Sequence, residues 1–413
     1  MAQTLFYIII VIVVVDFIFE RLLDYLNTTR WSEVLPAALT GIYDAAEYKK
    51  SQQYLRVNHK FGILTSTISF IAMLAMLLFG GFAWMDDLVR QWTTNPIWMA
   101  LIFFGILGFA SDLLSTPFSI YDTFVIEEKF GFNKTTPKTF VLDKLKGWLI
   151  GGIIGGGIMA LIIWIYDSTG QWFWLIAWGT ITFFTIFMTM FYSNLIVPLF
   201  NKQTLLQDGE LREAIQQFSD KVGFKLKNIF VIDGSKRSTK ANAYFTGLGP
   251  KKRIVLYDTL IADHSTDELV AILAHEIGHY KKKHTLSGTV IGIIQTGILL
   301  YILQLFIGNP LLSQALGANE GSFHMGILAF GILYSPLSMV LGILMNMLSR
   351  KNEYAADKFA AVNFNGNSLK EALKKLSVKN LSNLRPHPAV VFVHYSHPTL
   401  LQRLKGIDKV EGD

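Results

Sequence analysis

The chain has 413 residues, 51% of them hydrophobic and only 16% charged, with a mean hydropathy of +0.38. That composition excludes an ordinary soluble protein; 31 Phe, 9 Trp and 15 Tyr exclude disorder, and the lack of cysteine excludes disulfides, thiolate metal ligands and a cysteine nucleophile. A net charge of +6 would suit nucleic acid only if the basic residues clustered on one surface, so their distribution decides what it means.

Seven apolar stretches approach or exceed the roughly 20 residues needed to cross a bilayer. They cover residues 5–19, 61–84, 96–116, 147–166, 171–200, 286–308 and 325–348. The first is short and contains Asp16, but lacks the basic leader and small-residue cleavage site of a signal peptide, so it reads as an uncleaved anchor. All but one of the 37 Lys and Arg fall in alternate connections, 20–60, 117–146, 201–285 and 349–413. By the positive-inside rule these connections are cytoplasmic and the N-terminus faces out. The basic excess is therefore a topology signal, and the partner is the lipid bilayer, with no nucleic acid. A mainly α, polytopic membrane protein follows, divided into helices one to five (1–200), a cytoplasmic segment (201–285), helices six and seven (286–348) and a cytoplasmic C-terminal segment (349–413).

Within the membrane part, Gly151, Gly152, Gly155, Gly156 and Gly157 predict close approach of a neighbouring helix. Asp16, Asp112, Gln295, Gln304 and Asn346 predict either an enclosed wet space or interhelical hydrogen bonds. In the first cytoplasmic segment, 208–222 and 265–283 have helical patterns and 228–233 and 253–257 read as strands, a small α+β lobe.

That lobe carries His275-Glu276-Ile277-Gly278-His279. Four residues apart on a helix, the two imidazoles share a face and can hold one Zn²⁺, while Glu276 stands beside the open coordination position as general base. A third ligand is needed. Glu353 and Asp357, also four apart, can supply it and a carboxylate for the free N–H of a ligating histidine; a solvated acidic face paired with Lys351 or Lys358 is the alternative. His397, before Pro398, and Arg403 are candidate donors to the oxyanion of peptide hydrolysis, although a histidine beside a proline also marks a simple turn. Residues 242–247 either grip an extended substrate, with the Asn242 amide on its backbone, or merely enter a strand. His59, His264, His284, His324, His387 and His394 have no matching partners and read as structural or surface residues.

Leu273-Ala-His-Glu-Ile-Gly-His-Tyr280, Glu353 with Asp357, Asn242-Ala-Tyr-Phe245, Glu127-Glu128-Lys-Phe-Gly-Phe-Asn133 and His394-Tyr-Ser-His-Pro398 together resemble the type I CaaX prenyl proteases, integral-membrane zinc metalloproteases, over most of the chain. The resemblance implies seven transmembrane helices forming a barrel around a water-filled intramembrane chamber, closed on the cytoplasmic side by the zinc site. It implies one Zn²⁺ on His275, His279 and Glu353, Glu276 as base, Asp357 behind the metal, and substrate or transition-state contacts from Asn242, His397 and Arg403. The partner it implies is a peptide or protein substrate, prenylated in the family's own reaction, in which the last three residues are removed after a prenylated cysteine. Some members make a second upstream cut or clear blocked translocation channels. Either a bacterial inner membrane or an endoplasmic-reticulum membrane suits this multi-pass protein with a cytoplasmic active site. The competing readings are a heat-shock-type membrane quality-control metalloprotease and, from another class, a transporter or channel with a structural zinc site; a receptor rests on span count alone.

Overall fold

A computed structural model describes residues 1–225, 228–246 and 253–412. The first half of the chain forms α1 (Ala2–Thr28), α2 (Ala45–Leu78), α3 (Gly81–Trp92), α4 (Pro96–Tyr121), α5 (Pro137–Thr169), α6 (Phe173–Leu195) and one-turn α7 (Val197–Phe200). Their starts follow from local chemistry: the side chains of Asp44, Asn95 and Thr136 accept from the first free N–H groups of α2, α4 and α5, and Pro96 and Pro137 occupy the first helical position. The second expected span overruns, because the helix ends at Leu78; Gly80, at φ 69°, turns the chain into amphipathic α3. An apolar composition that continues through a turn hides the turn.

The cytoplasmic segment adds α8 (Glu210–Lys221) and a four-stranded sheet of β1 (Gln203–Leu205), β2 (Ile229–Ile232), β3 (Ala243–Thr246) and β4 (Arg253–Tyr257). The order is β1-β2-β4-β3, with β2 and β4 parallel and the outer pairs antiparallel, so β3 is an edge. Then come α9 (Asp258–Asp263), α10 (Thr266–Lys281), α11 (His284–Phe306), α12 (Pro310–Ala315), α13 (Phe323–Ala360), α14 (Gly366–Lys379), α15 (Pro388–His394) and α16 (Leu400–Gly412). The predicted helices and strands of the lobe fall on α8, α10, β2 and β4 within two residues at each end.

Among the described residues, six stretches are long and apolar enough to cross a membrane; the longest, the 64 residues Pro137–Phe200, takes in α5, α6 and α7 and is broken at Gly170 (φ 54°). Little of these stretches is buried by protein, the state of helices solvated by lipid. One core joins α10 to the sheet, α8, α14 and α16 through Leu269, Leu273, Ile254, Ile215, Leu369 and Ile407. A second joins Ile9, Val89, Phe103, Phe173 and Met325 at the other end of the helices. A third, small one consists of Ile126, Phe130, Phe132 and Leu381.

Two expectations about the membrane part separate here. A Cβ added at Gly151, Gly152, Gly155 or Gly157 would meet nothing within 4 Å, and at Gly156 only Leu101 at 3.8 Å. The glycine cluster is thus not a close helix contact: one face of small residues reads the same in sequence whether it meets protein or lipid. Three of the five polar residues tie elements together, Ser335 donating to Asp16 at 2.8 Å, Lys144 to Asp112 at 2.7 Å and Asn346 to the Val393 carbonyl at 2.7 Å, while Gln304 Oε1 is buried with no hydrogen-bond partner among the described residues.

Candidate metal centre

Ser265 and Glu268 open α10 with a reciprocal capping box, and Lys375 pairs with the same Glu268 carboxylate at 2.7 Å. The following turns are buried on nearly every side through Gly278, so α10 is a core helix that carries His275 and His279 one turn apart. The 38-residue α13 leaves the apolar stretch and runs on past α10, carrying Glu353 and Asp357 with it. The two helices meet at Gly278, where a Cβ would come within 3.1 Å of Phe359 and 3.2 Å of the Ala356 backbone. Glycine at this position brings the carboxylates of one helix against the imidazoles of the other.

His275 Nε2 and His279 Nε2 lie 3.1 Å apart, and Glu353 reaches them with Oε2 3.4 Å from His275 and Oε1 3.2 Å from His279. One ligand atom from each falls within 4.8 Å of the others. Glu353 is 3% exposed and Asp357 2%, and neither forms the solvated acidic face with Lys351 or Lys358 that its spacing also allowed. Asp357 Oδ1 sits 2.8 Å from His275 Nδ1 and accepts from Arg403, whose Nε is 2.8 Å from its other oxygen. Burial, and next the Arg403 charge, push the His275 pKa down, but the Asp357 and Glu353 carboxylates beside it outweigh them and lift it to about 9. Burial also opposes the Arg403 charge, and Asp357 beside it more than compensates.

His397 Nε2 lies 3.3 Å from Glu353 Oε1 with its side chain 61% exposed, and its loop is held in place by α13. Arg350 donates to the carbonyls of Val391 at 3.0 Å and Tyr395 at 2.5 Å, filling the C-terminal end of α15, while Asn346 takes the Val393 carbonyl between them. A cavity of about 200 Å³ opens on the group, lined by Asn242, Ala243, His275, Glu276, His397 and Arg403 among others. Asn242 immediately precedes edge strand β3, so the predicted turn-to-strand stretch forms a wall of the cavity; Gly247, at its end, lies outside the described residues. All the site residues expected from sequence therefore converge on one place.

Sequence reasoning set His284 aside as structural or surface, and the structure corrects this: His284 Nδ1 lies 3.0 Å from His279 Nδ1. Five residues on from His279, it would face elsewhere on an unbroken helix. The chain breaks at Lys283, a non-glycine residue at φ 59°, and α11 starts at His284 folded back on the site. Arg350 was missed for a related reason, since the carbonyls it fills come from a distant segment.

Two family models cover nearly the whole chain: CAAX prenyl protease N-terminal, five membrane helices, over residues 24–202, and peptidase family M48 over residues 205–411. CAAX prenyl protease 1 of Saccharomyces cerevisiae is 35% identical, with 96% of this chain and 94% of that protein aligned. The CAAX prenyl protease 1 homologue of Dictyostelium discoideum is 37% identical over 88% of this chain and 87% of that protein. The crystal structure of S. mikatae Ste24p superposes with a TM-score of 0.92 at 34% identity, covering 98% of this chain and 99% of that one.

Proposed function

The chain belongs to peptidase family M48, with the CAAX prenyl protease membrane domain ahead of the peptidase domain, and from that premise we infer that it is an integral-membrane metalloprotease that processes CaaX proteins. The observation that carries the chemistry is the convergence of His275, His279 and Glu353 in a buried pocket. The donor set fits a divalent metal: Glu353 Oε2 is buried without a hydrogen-bond partner among the described residues, and Asp357 and His284 occupy the outer nitrogens of the two histidines. Two imidazoles and one carboxylate are the ligands zinc takes in peptidases, so zinc is the metal we assign to His275, His279 and Glu353.

Held by His275, His279 and Glu353, zinc would supply Lewis acidity toward water and a peptide carbonyl. Glu276, next to a ligand and facing the cavity, takes the proton of the attacking water and returns it to the leaving amine. His397, an exposed donor beside Glu353, hydrogen-bonds the developing oxyanion. Arg403 commits Nε and one Nη to Asp357, which leaves its other Nη, 3.7 Å from Glu353, to add positive charge on the same side. Asn242 and edge strand β3 receive the substrate as an added strand, the amide side chain fixing its register.

The remaining parts of the reading are architectural. The long helices enclose a chamber for the prenylated chain end, both polar segments face the cytoplasm, and residues 201–285 and 349–413 together form the peptidase lobe. The substrate assignment is tested by offering purified protein a farnesylated CaaX peptide, its unprenylated twin and an unfolded soluble protein. Release of the last three residues from the first alone is expected. Equal cleavage of the unfolded protein would support the quality-control reading instead.

His284 supplies a separate prediction. Outer partners of metal-bound histidines are worth about 10- to 100-fold in metal affinity. His284→Ala is therefore expected to give up zinc to a competing chelator dye at 10- to 100-fold lower chelator concentration while its helical circular dichroism matches the wild type. An unchanged chelator midpoint would make the His279 contact incidental.

A further inference from the structure

Residues 127–133, Glu-Glu-Lys-Phe-Gly-Phe-Asn, have no task in the chemistry above, yet in the fold they hold the approach to β3. A wide π-helical turn, Asp122–Glu127, ends α4 and rotates Glu127 toward Lys240. Lys240 Nζ lies 2.7 Å from Glu127 Oε2, 2.9 Å from Tyr54 Oη and 4.4 Å from the Phe132 ring centre, and Tyr54 Oη donates to the other Glu127 oxygen at 2.5 Å. Gly131, at φ 83°, then reverses the chain so that Asn133 pairs antiparallel with Ser238. Thr239 N donates to the Phe132 carbonyl and Lys134 N to the Arg237 carbonyl, both at 3.0 Å.

On the other side, the Asn380 side chain accepts from Ala241 N at 3.1 Å and donates to the Ala241 carbonyl at 3.2 Å. Leu381, next to it, is a non-glycine residue at φ 48° and completes the small core with Ile126, Phe130 and Phe132. Residues 237–241 are thus gripped by α2, the α4–α5 connection and the end of α14, immediately before Asn242. β3 itself is four residues long and, among the described residues, paired on one side only. A short edge strand frays readily, and a peptide that must order its partner strand on arrival binds weakly.

We propose that the 122–136 connection is a clamp that holds β3 at the cleft ready to receive substrate, with Lys240 and Glu127 as its positioning pair. The proposal rests on the reading of β3 as the strand that pairs with substrate. Lys240 acts on KM through the strand and takes no part in proton transfer. Because the clamp joins membrane helices to the cleft wall, it also makes the packing of α2 and α4 felt at the substrate site.

The test uses full-length protein and a farnesylated CaaX peptide long enough to run along β3. Lys240→Met keeps the apolar stem and removes the charge; KM is expected to rise about tenfold, the effect of a lost charged hydrogen bond, with kcat within about twofold and bound zinc unchanged. Since the chain has no cysteine, Asn133→Cys with Ser238→Cys in that background forms a single defined cross-link at the paired positions. Oxidation should restore the wild-type KM and a phosphine reductant should abolish the rescue. An unchanged KM, a fall in kcat alone, or a KM defect that the cross-link leaves in place would overturn the clamp, and Glu127→Gln gives the same readout should Lys240→Met fail to fold. Backbone N-methylation of the peptide separates the two readings. If it leaves wild-type KM unchanged, strand pairing itself fails; if it raises KM while Lys240→Met does not, the clamp alone fails.

Discussion

Replacing Glu276 with glutamine is expected to lower kcat on a farnesylated CaaX peptide by about 10²- to 10⁴-fold, the worth of a general base, with bound zinc unchanged. The side chain keeps its size and position beside His275, and none of the three proposed ligands is touched. What is lost is a carboxylate that can take a proton from water and give it to the leaving amine. An amide can do neither, so KM should change far less than kcat. Chelator titration beside the kinetics checks both halves. Full activity in this variant would remove Glu276 from the mechanism, and loss of zinc would show that it supports the ligands instead.

Glu353→Ala is expected to do the opposite: abolish stoichiometric zinc binding and, with it, all cleavage above background. The carboxylate is 3% exposed and lies against His275, His279, His397 and Arg403, so no other described side chain stands ready to replace it. A ligand that binds only the folded state stabilises it by about 2.7 kcal/mol at a hundred times its dissociation constant. Wild-type protein should therefore show a zinc-dependent rise in Tm, and the variant none, in a differential scanning measurement with and without added zinc. A variant that keeps both its zinc and its zinc-dependent Tm would place the third ligand elsewhere.

The parts of this site legible in sequence are those where spacing along one helix carries the chemistry. His275, Glu276 and His279 declare themselves because the helical period puts both imidazoles on one face. Glu353 and Asp357 were visible as a pair on one face, but the same spacing described a solvated acidic surface; only the close crossing at Gly278 decides between the two. His284 was invisible because helical periodicity points it away from His279, and a left-handed residue at Lys283 brings it back. The clamp was invisible for a stronger reason. Lys240, Glu127, Tyr54 and Asn380 come from four distant segments, and nothing local in any of them names the others. In the membrane part, hydrophobicity located the helices well but gave poor detail, running past the turn at Gly80 and reading Gly151–Gly157 as a close helix contact where only Gly156 meets a neighbour, Leu101 at 3.8 Å. Lipid and protein interior are both apolar, so composition cannot tell one from the other.

If a metal held by His275, His279 and Glu353 drives the trimming of prenylated chain ends, metal content and cleavage must rise and fall together. Detergent-purified wild type should contain one zinc per chain and release the last three residues of a farnesylated CaaX peptide. A chelator should stop that release and added zinc restore it. Cleavage that persists after the metal has been stripped, or protein that binds no metal at the His275, His279 and Glu353 site, would contradict that link.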